Sequence, residues 1–386
     1  MCSFKMRKER VVVAMSGGVD SSVAAALLKQ QGYEIIGITM CFNLADSNRK
    51  KPACCGIQGI EDARRVAHKL NIKHYVLNMQ KVLKERVIKD FCDEYIKGRT
   101  PNPCIRCNQF IKFDCLLKRA LALEARFLAT GHYARVVASR QSPVASQNYL
   151  LKKAKDKIKD QSYFLYRLNQ YQLKHILFPL GNYTKDQVRR LAREFSLPVA
   201  DKLASQEICF LPDVDYRGFL KQQTKQDIKP GLVVDKQGDI LGRHKGIAYY
   251  TIGQREGLGI AKGYPLYITN IDPKVNRITV GTKEDALGCE FLVKEPHFIL
   301  KPLKKKIVLR VKIRYNHKDG LAEITPIKNK INPVRDTINS SNNIIVSNGV
   351  KVRFMKPQFA ITPGQSAVFY DKDIVVGGGI IDRVLN

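Results

Sequence analysis

The sequence predicts an α/β domain with a Rossmann-like parallel sheet, then a small β-rich central domain, then a C-terminal β-barrel. Three observations predict this. Short apolar strand-like runs alternate with helical periodicities over roughly the first two hundred residues. The texture then changes after about residue 213 to short alternating strands separated by turn pairs. From about residue 290 the pattern stays β to the end. A chain of 386 residues is also too long for one ordinary core. The expected boundaries are 1–213, 214–284 and 285–386.

The elements follow in order. VVVAM (11–15) reads as a buried strand. VAAALLKQQ reads as a helix that Gly32 terminates. YEIIGITM is a second strand, IEDARRVAHKL a helix with Asn71 near its end, and HYVLNM a third strand. VLKERVIKDFCDEYIKG is a long helix closing on Gly98. FDCLLKRALAL is helical, and ARFLATGHYAR is a strand entering a loop. Thr184 and Gln187 form a capping box for TKDQVRRLAREF, and DYRGFLKQQ is a last short helix. LVVDKQGDILG, YYTIGQREGLGI and LYITNIDPKVNRITVG read as short strands with turns at Gln237-Gly238 and Asp272-Pro273. IVLRVKIRY, LAEITPI, KVRFM and AVFYDKDIVVGGGII continue the β pattern. The polar, Asn/Ser-rich segment 331–350 reads as a surface loop insertion without function.

Composition narrows the function classes. Sixty-six Lys and Arg against 35 Asp and Glu give a net charge of +31. An excess of this size attracts polyanions, nucleic acid first among them. No apolar run reaches the roughly 18–20 residues that span a bilayer, so no membrane partner is expected. The basic opening MCSFKMRKER leads into a strand rather than a signal-peptide apolar region, so a cytoplasmic protein is expected. A reducing cytosol disfavours structural disulfides among the ten cysteines.

The strand VVVAM runs directly into Ser16-Gly17-Gly18-Val19-Asp20-Ser21-Ser22 and then a helix. Glycines let the backbone turn tightly and approach a ligand, and the helix start offers unpaired amides and a positive dipole end. Ser16, Ser21 and Ser22 can donate to phosphate oxygens, and Asp20 can orient the loop or help hold Mg2+. The loop lacks the Gly-Lys-Ser/Thr ending of a Walker A motif. It resembles the PP-loop of ATP pyrophosphatases, which cleave ATP to AMP and pyrophosphate while adenylating a carbonyl oxygen. That superfamily includes several synthetases as well as tRNA thiolases, and the loop does not choose among them.

The cysteines narrow the choice. GRTPNPCIRCNQFIKF places Cys104 and Cys107 in a C-x-x-C spacing in a Pro-rich turn that opens a helix, where thiolates are favoured. Cys209 lies far along the chain in LASQEICFLPD. Structural zinc is the weaker reading, since no second C-x-x-C supplies four ligands. Cys54-Cys55 reads as an ordinary buried or loop pair. Three cysteines plus a phosphate loop suggest sulfur chemistry at an activated carbonyl.

SGGVDSSVAA, GRTPNPCIRCNQFIKF, ATGHYAR, KDQSYFL, SQEICF, GQREGLGI and TPGQSAVFY together closely resemble the bacterial tRNA-specific 2-thiouridylase (MnmA) family, in family order over roughly residues 10–383. The resemblance implies that ATP adenylates the C2 carbonyl of the wobble uridine, position 34 of the tRNA. A persulfide on Cys209 then delivers sulfur, with Cys107 as its catalytic partner. AMP and pyrophosphate depart, 2-thiouridine remains, and a Cys107–Cys209 disulfide results. It further implies that Ala14, Met15, Ser16, Gly17, Gly18, Val19, Asp20, Ser21, Met40 and Gly131 contact ATP. Asn102, Pro103, Cys104, His132, Lys159, Asp160, Gln161, Arg314, Tyr315 and Gln365 are implied to contact tRNA, the first three beside a target base flipped out of its stack.

Two alternatives stay open at the thiols. Some members of that family carry a catalytic Asp where this chain has Cys104, so that role does not carry over. Cys104, Cys107 and Cys209 could instead hold three irons of a 4Fe–4S cluster, since such clusters take thiolate ligands. The expected cofactors are therefore ATP and Mg2+, with the iron–sulfur cluster as the alternative. The expected partners are tRNAs for Lys, Glu and Gln and a sulfur donor protein, either a cysteine desulfurase or a persulfide relay protein. The rivals are another PP-loop synthetase, which needs no paired cysteines, and a non-catalytic RNA binder.

Overall fold

The computed structural model describes residues 8–42, 57–139, 148–203, 208–211, 216–224, 227–327 and 349–385. The chain divides into two compact units, Met1–Asp90 with Pro103–Gln223, and Phe91–Asn102 with Thr224–Asn386.

The first unit holds a five-stranded parallel sheet. Strand β1 (Arg10–Ala14) leads to helix α1 (Val19–Gln30), β2 (Glu34–Cys41), helix α2 (Ile57–Lys69) and β3 (Lys73–Asn78). Helix α3 joins Gln80–Leu83, Lys84–Ile88 and Lys89–Ile96 end to end, its middle wound as a π-helix, and the unit boundary falls within it. Helix α4 likewise joins Pro103–Cys107, Asn108–Leu116 and Leu117–Ala122 around a π-helical centre. Then come β4 (Phe127–Ala129), a hairpin of β5 (Ala134–Ser139) and β6 (Asn148–Lys153), short helix α5 (Gln170–Lys174), β7 (Ile176–Leu177), helix α6 (Lys185–Glu194) and helix α7 (Tyr216–Gln223). The sheet order is β3-β2-β1-β4-β7. The chain winds outward from β1 to β3, then returns to place β4 on the other side of β1. The crevice beyond the carboxyl ends of β1 and β4 is thus a topological switch point, where open α/β sheets hold ligands.

Local chemistry explains the element ends. Gly32 takes φ +91 after α1, its N–H reaching Lys29 O at 2.9 Å while that of Tyr33 reaches Leu28 O at 3.2 Å. Asn71, at φ 46, ends α2 the same way. These paired bonds satisfy carbonyls the helix leaves open. Val11, Val12 and Val13 are fully buried because β1 is central and covered on both faces. Thr184 accepts from the Gln187 N–H, and Gln187 accepts from the Thr184 N–H at 2.8 Å, as the sequence predicts for α6. A second capping box, Asn169 with Gln172, opens α5.

The second unit contains two β assemblies. Strands β8 (Gly231–Val234), β9 (Ile240–His244), β10 (Tyr267–Asp272) and β11 (Arg277–Gly281) form a sheet of order β10-β11-β8-β9. Strands β12 (Leu287–Phe298), β13 (Ile307–Lys312), β14 (Gly320–Ile327), β15 (Gly349–Phe359), β16 (Ser366–Asp371) and β17 (Ile374–Leu385) pair in the order β12-β15-β14-β13-β16-β17. Strand β12 also pairs with β17, which closes a six-stranded barrel. Phe291, Val311, Ala322, Ile324, Val352, Phe369 and Ile381 fill its interior.

The structure corrects one reading. YYTIGQREGLGI is not a strand: a 3-10 turn at Ile247–Tyr249 passes into turns, with Gly253, Gly257 and Gly259 at positive φ. FDCLLKRALAL is helical, as expected, and forms the later part of α4. The proposed loop insertion 331–350 lies outside the described residues except Gly349 and Val350, which belong to β15. Cys54 and Cys55 lie outside the described residues. Among those described, no helix is long and apolar enough to cross a membrane.

Candidate functional site

The loop between β1 and α1 is held from within. Ser21 Oγ donates to Gly18 O at 3.1 Å and accepts from the Ser16 N–H at 3.2 Å. Ser22 Oγ donates to the same Gly18 carbonyl at 2.9 Å. Gly17 sits at φ +73, and a Cβ there would lie 2.2 Å from Gly59 O, so only glycine fits. Gly131 is constrained by close approach alone: a Cβ would stand 2.8 Å from Ser21 N, at the first turn of α1. Behind the loop, Lys202 Nζ donates to Gly17 O at 3.1 Å and pairs with the buried Asp62 carboxylate. Burial alone would raise the Asp62 carboxyl, but hydrogen bonds from Lys202, Arg65 and Gln58 outweigh it and hold the group below the usual aspartate range.

A cavity of about 200 Å³ opens over this loop, lined by Ala14, Met15, Ser16, Asp20, Ser21, Met40, Lys112, Thr130, Gly131, His132 and Gln161. It occupies the switch-point crevice between the ends of β1 and β4. Seven of the ten residues expected to contact ATP line it, and Gly17, Gly18 and Val19 form the turn beside it. Asp20 Oδ1 accepts from Tyr133 Oη at 2.8 Å and from Lys185 Nζ at 2.6 Å. Burial, then the Asp20 charge, raise the Tyr133 phenol, so it stays a donor. Thr130 Oγ1 meets His132 Nδ1 at 2.7 Å. Burial, and then the charge of Lys112, push the His132 imidazole well below the ordinary histidine value, so it is neutral at pH 7.

Helix α4 carries the C-x-x-C pair. Pro103 opens it, where a missing N–H costs nothing. Cys104 is exposed and Cys107 buried. Between them, Arg106 makes a two-pronged bond to Asp90, Nη2 to Oδ1 at 3.2 Å and Nε to Oδ2 at 3.3 Å. Asn108 Nδ2 donates to Phe164 O at 3.1 Å, while its buried Oδ1 has no partner among the described residues. Cys209 is half-buried, and the structure places neither it nor Cys107 in a disulfide. Among the described residues, no group of three or more His, Cys, Asp or Glu is arranged to hold a metal ion. Cys104, Cys107 and Cys209 are therefore not gathered as cluster ligands.

Comparison with known proteins decides the family. The chain matches the models described as tRNA methyl transferase HUP domain over residues 9–213, tRNA methyl transferase PRC-barrel domain over 217–282, and Aminomethyltransferase beta-barrel domain over 335–381. It is 50% identical to tRNA-specific 2-thiouridylase MnmA 1 of Caldanaerobacter subterraneus subsp. tengcongensis, over 97% of this chain and 98% of that protein. The chain belongs to the tRNA-specific 2-thiouridylase family. A MnmA protein of Clostridium acetobutylicum is 47% identical over 97% of this chain and 99% of its own length. That of Acetivibrio thermocellus is also 47% identical, over 97% of this chain and all of its own length. The parallel-sheet HUP domain, the small PRC-barrel-like β domain and the six-stranded barrel are the architecture of this family's chain.

The residues expected to meet tRNA fall in several places. His132 and Gln161 line the cavity, so they stand with the ATP set in space. Asp160 is buried and turned inward, its Oδ1 accepting from the Ala154 and Ser162 N–H groups at 3.0 and 3.2 Å, its Oδ2 from Ser162 Oγ at 2.9 Å. Its side chain organises the turn. Lys159 is half-buried beside it, its N–H bonded to Asp156 Oδ1 at 3.0 Å. In the second unit, Arg314 Nη2 donates to Phe359 O at 2.7 Å, and Lys312 Nζ stands 5.4 Å from the Tyr315 ring centroid. Gln365 Nε2 donates to Thr100 O at 3.1 Å, and the Thr100 N–H donates to Pro363 O at 2.9 Å. Arg99 ties the same segment to Glu94 at 2.7 Å and to Ile381 O at 2.9 Å. The chain just before Asn102 is thus fixed to the barrel. Sequence reasoning missed Lys112, Thr130, Tyr133, Lys185 and Lys202. Lys112 carried one signal, its place in the FIKF that closes the cysteine motif, and Thr130 and Tyr133 carried another, their place in ATGHYAR; Lys185 and Lys202 carried none.

Proposed function

We propose that the chain is an ATP-dependent tRNA 2-thiouridylase, a sulfurtransferase acting on wobble uridine 34 of tRNAs for Lys, Glu and Gln in the cytoplasm. The cavity over the Ser16–Ser21 turn carries this reading: Ser16, Asp20 and Ser21 line it at the start of helix α1, and helix α4, which bears Cys107, also supplies Lys112 to its wall. A glycine turn at a helix start suits a phosphate chain.

The chemistry runs in two stages. The uracil O2 attacks the α-phosphorus of ATP and pyrophosphate leaves, which turns a poor leaving group into AMP. The terminal sulfur of a Cys209 persulfide then attacks C2, and AMP departs with the original oxygen. The Cys107 thiolate attacks Cys209 Sγ, leaving the terminal sulfur on C2 as the thiocarbonyl and closing a Cys107–Cys209 disulfide. A dithiol reductant reopens it, and a cysteine desulfurase or persulfide relay protein reloads Cys209. A persulfide is a strong nucleophile near neutral pH. Asp20 is the carboxylate on the cavity wall and already accepts from Lys185 and Tyr133. Magnesium therefore enters as the counter-ion of ATP, and no step is assigned to a protein-held metal or to an iron–sulfur cluster.

The test is direct. Purified protein, unmodified tRNA, ATP and a cysteine desulfurase with cysteine are combined, and 2-thiouridine and AMP are quantified by mass spectrometry. One AMP should appear per thiolated uridine, and Cys209→Ser and Cys107→Ser should give no product. AMP formation without 2-thiouridine, unchanged in both variants, would move the chain to the synthetase class. ATP turnover indifferent to tRNA would remove the substrate assignment.

A further inference from the structure

The mechanism above gives no residue the task of meeting the charge that builds up as pyrophosphate leaves. The cavity wall holds two formally charged side chains among the described residues, Asp20 and Lys112. The Asp20 charge is met by Lys185 at 2.6 Å. Lys112 is the cation on the wall itself. Its charge reaches the interior, because it is felt at the neighbouring His132 ring.

Lys112 reaches this position through the winding of α4. It lies five residues after Cys107, inside the segment Asn108–Leu116 that is wound as a π-helix. In an α-helix a residue five positions on points well away from the first. The wider turn, with its i→i+5 bonding, brings the two closer to one side, and such bulges cluster at functional sites. The helix therefore offers a thiol and an ammonium group from neighbouring turns.

We propose that Lys112 is a catalytic residue whose ammonium contacts the α-phosphate as the uracil oxygen displaces pyrophosphate. This rests on the thiouridylase reading above. The O2–Pα bond forms while the bond from Pα to the bridging oxygen breaks, its electron pair leaving on pyrophosphate. Lys112 keeps its proton throughout and gives only charge and a hydrogen bond. A fixed cation in a half-enclosed site acts where transition-state charge develops and needs no reorganisation at that moment.

The experiment begins with wild-type protein showing tRNA-dependent AMP formation; failure at that stage would sink the thiouridylase reading and not the role of Lys112. Single-turnover AMP formation at saturating ATP is then compared for Lys112→Met and Lys112→Arg, with ATP affinity measured separately. Lys112→Met should slow the step on the order of 10²–10³-fold while ATP affinity falls less than about tenfold, and Lys112→Arg should recover part of the rate. The titration of His132, followed by NMR in the nucleotide-free protein, should move upward in Lys112→Met. A rate within a few-fold of wild type in Lys112→Met, or an unmoved His132 titration, would overturn the proposal.

Discussion

Lys185 Nζ lies 2.6 Å from Asp20 Oδ1, joining the first residue of α6 to the first turn of α1 across 165 positions of sequence. Tyr133 donates to the same oxygen. The phosphate loop thus carries a carboxylate whose charge is already compensated before a polyanion arrives. Lys185→Met should expose that carboxylate to the phosphates and weaken ATP binding about tenfold, roughly 1.4 kcal/mol. Adding Asp20→Asn should return most of the loss. Calorimetric titration of the two single variants and the double variant checks the coupling; independent, additive losses would refute it.

Gly17 is the tightest point of the loop. Alanine there must hold φ near +73 and also press a Cβ against Gly59 O at 2.2 Å. The strained backbone alone costs about 1–3 kcal/mol. Gly17→Ala should lower the melting temperature and abolish measurable ATP binding, whereas Gly32→Ala, whose Cβ meets nothing within 4 Å, should cost stability but spare nucleotide binding. Equal effects on binding would refute the loop assignment.

The Asp62 carboxyl is held below its unfolded value. A depressed acid stabilises the fold above the unfolded pKa, about 4, and that stability is lost as pH falls through the folded value. Asp62→Asn should therefore be less stable than wild type at pH 7, with the gap closing below about pH 4. Urea midpoints across that range measure it, and a pH-independent gap would contradict the linkage.

With a net charge of +31, tRNA affinity should fall steeply with salt. If about six phosphates are contacted, affinity should drop by roughly 10³ between 50 and 200 mM salt. A flat log–log plot of association constant against salt would mean that the excess charge plays no part in binding.

Local features were legible in advance because they are written in neighbouring residues. The strand, glycine turn and helix at residues 11–30, the Gly32 and Asn71 helix ends, and the Thr184–Gln187 capping box each involve contacts within a few positions. Whole-chain motif order likewise pointed to the family. Strand character failed at YYTIGQREGLGI, where alternating apolar residues are interrupted by three glycines that take positive φ. No neighbouring residue pattern announced that the turn after β6 draws the Asp160 carboxylate inward to three donors.

By itself the sequence determined the three-part architecture, the glycine turn and the thiols, since periodicity, turn chemistry and residue type act over short stretches of chain. Only the tertiary structure decided which charges surround that turn. Lys112, Tyr133, Lys185 and Lys202 come from four separate stretches, and they converge because the parallel sheet returns β4 beside β1 and gathers the following loops at one end. No local pattern encodes such a meeting: each lysine alone reads as a solvated side chain, and the fold that places it depends on every strand pairing at once.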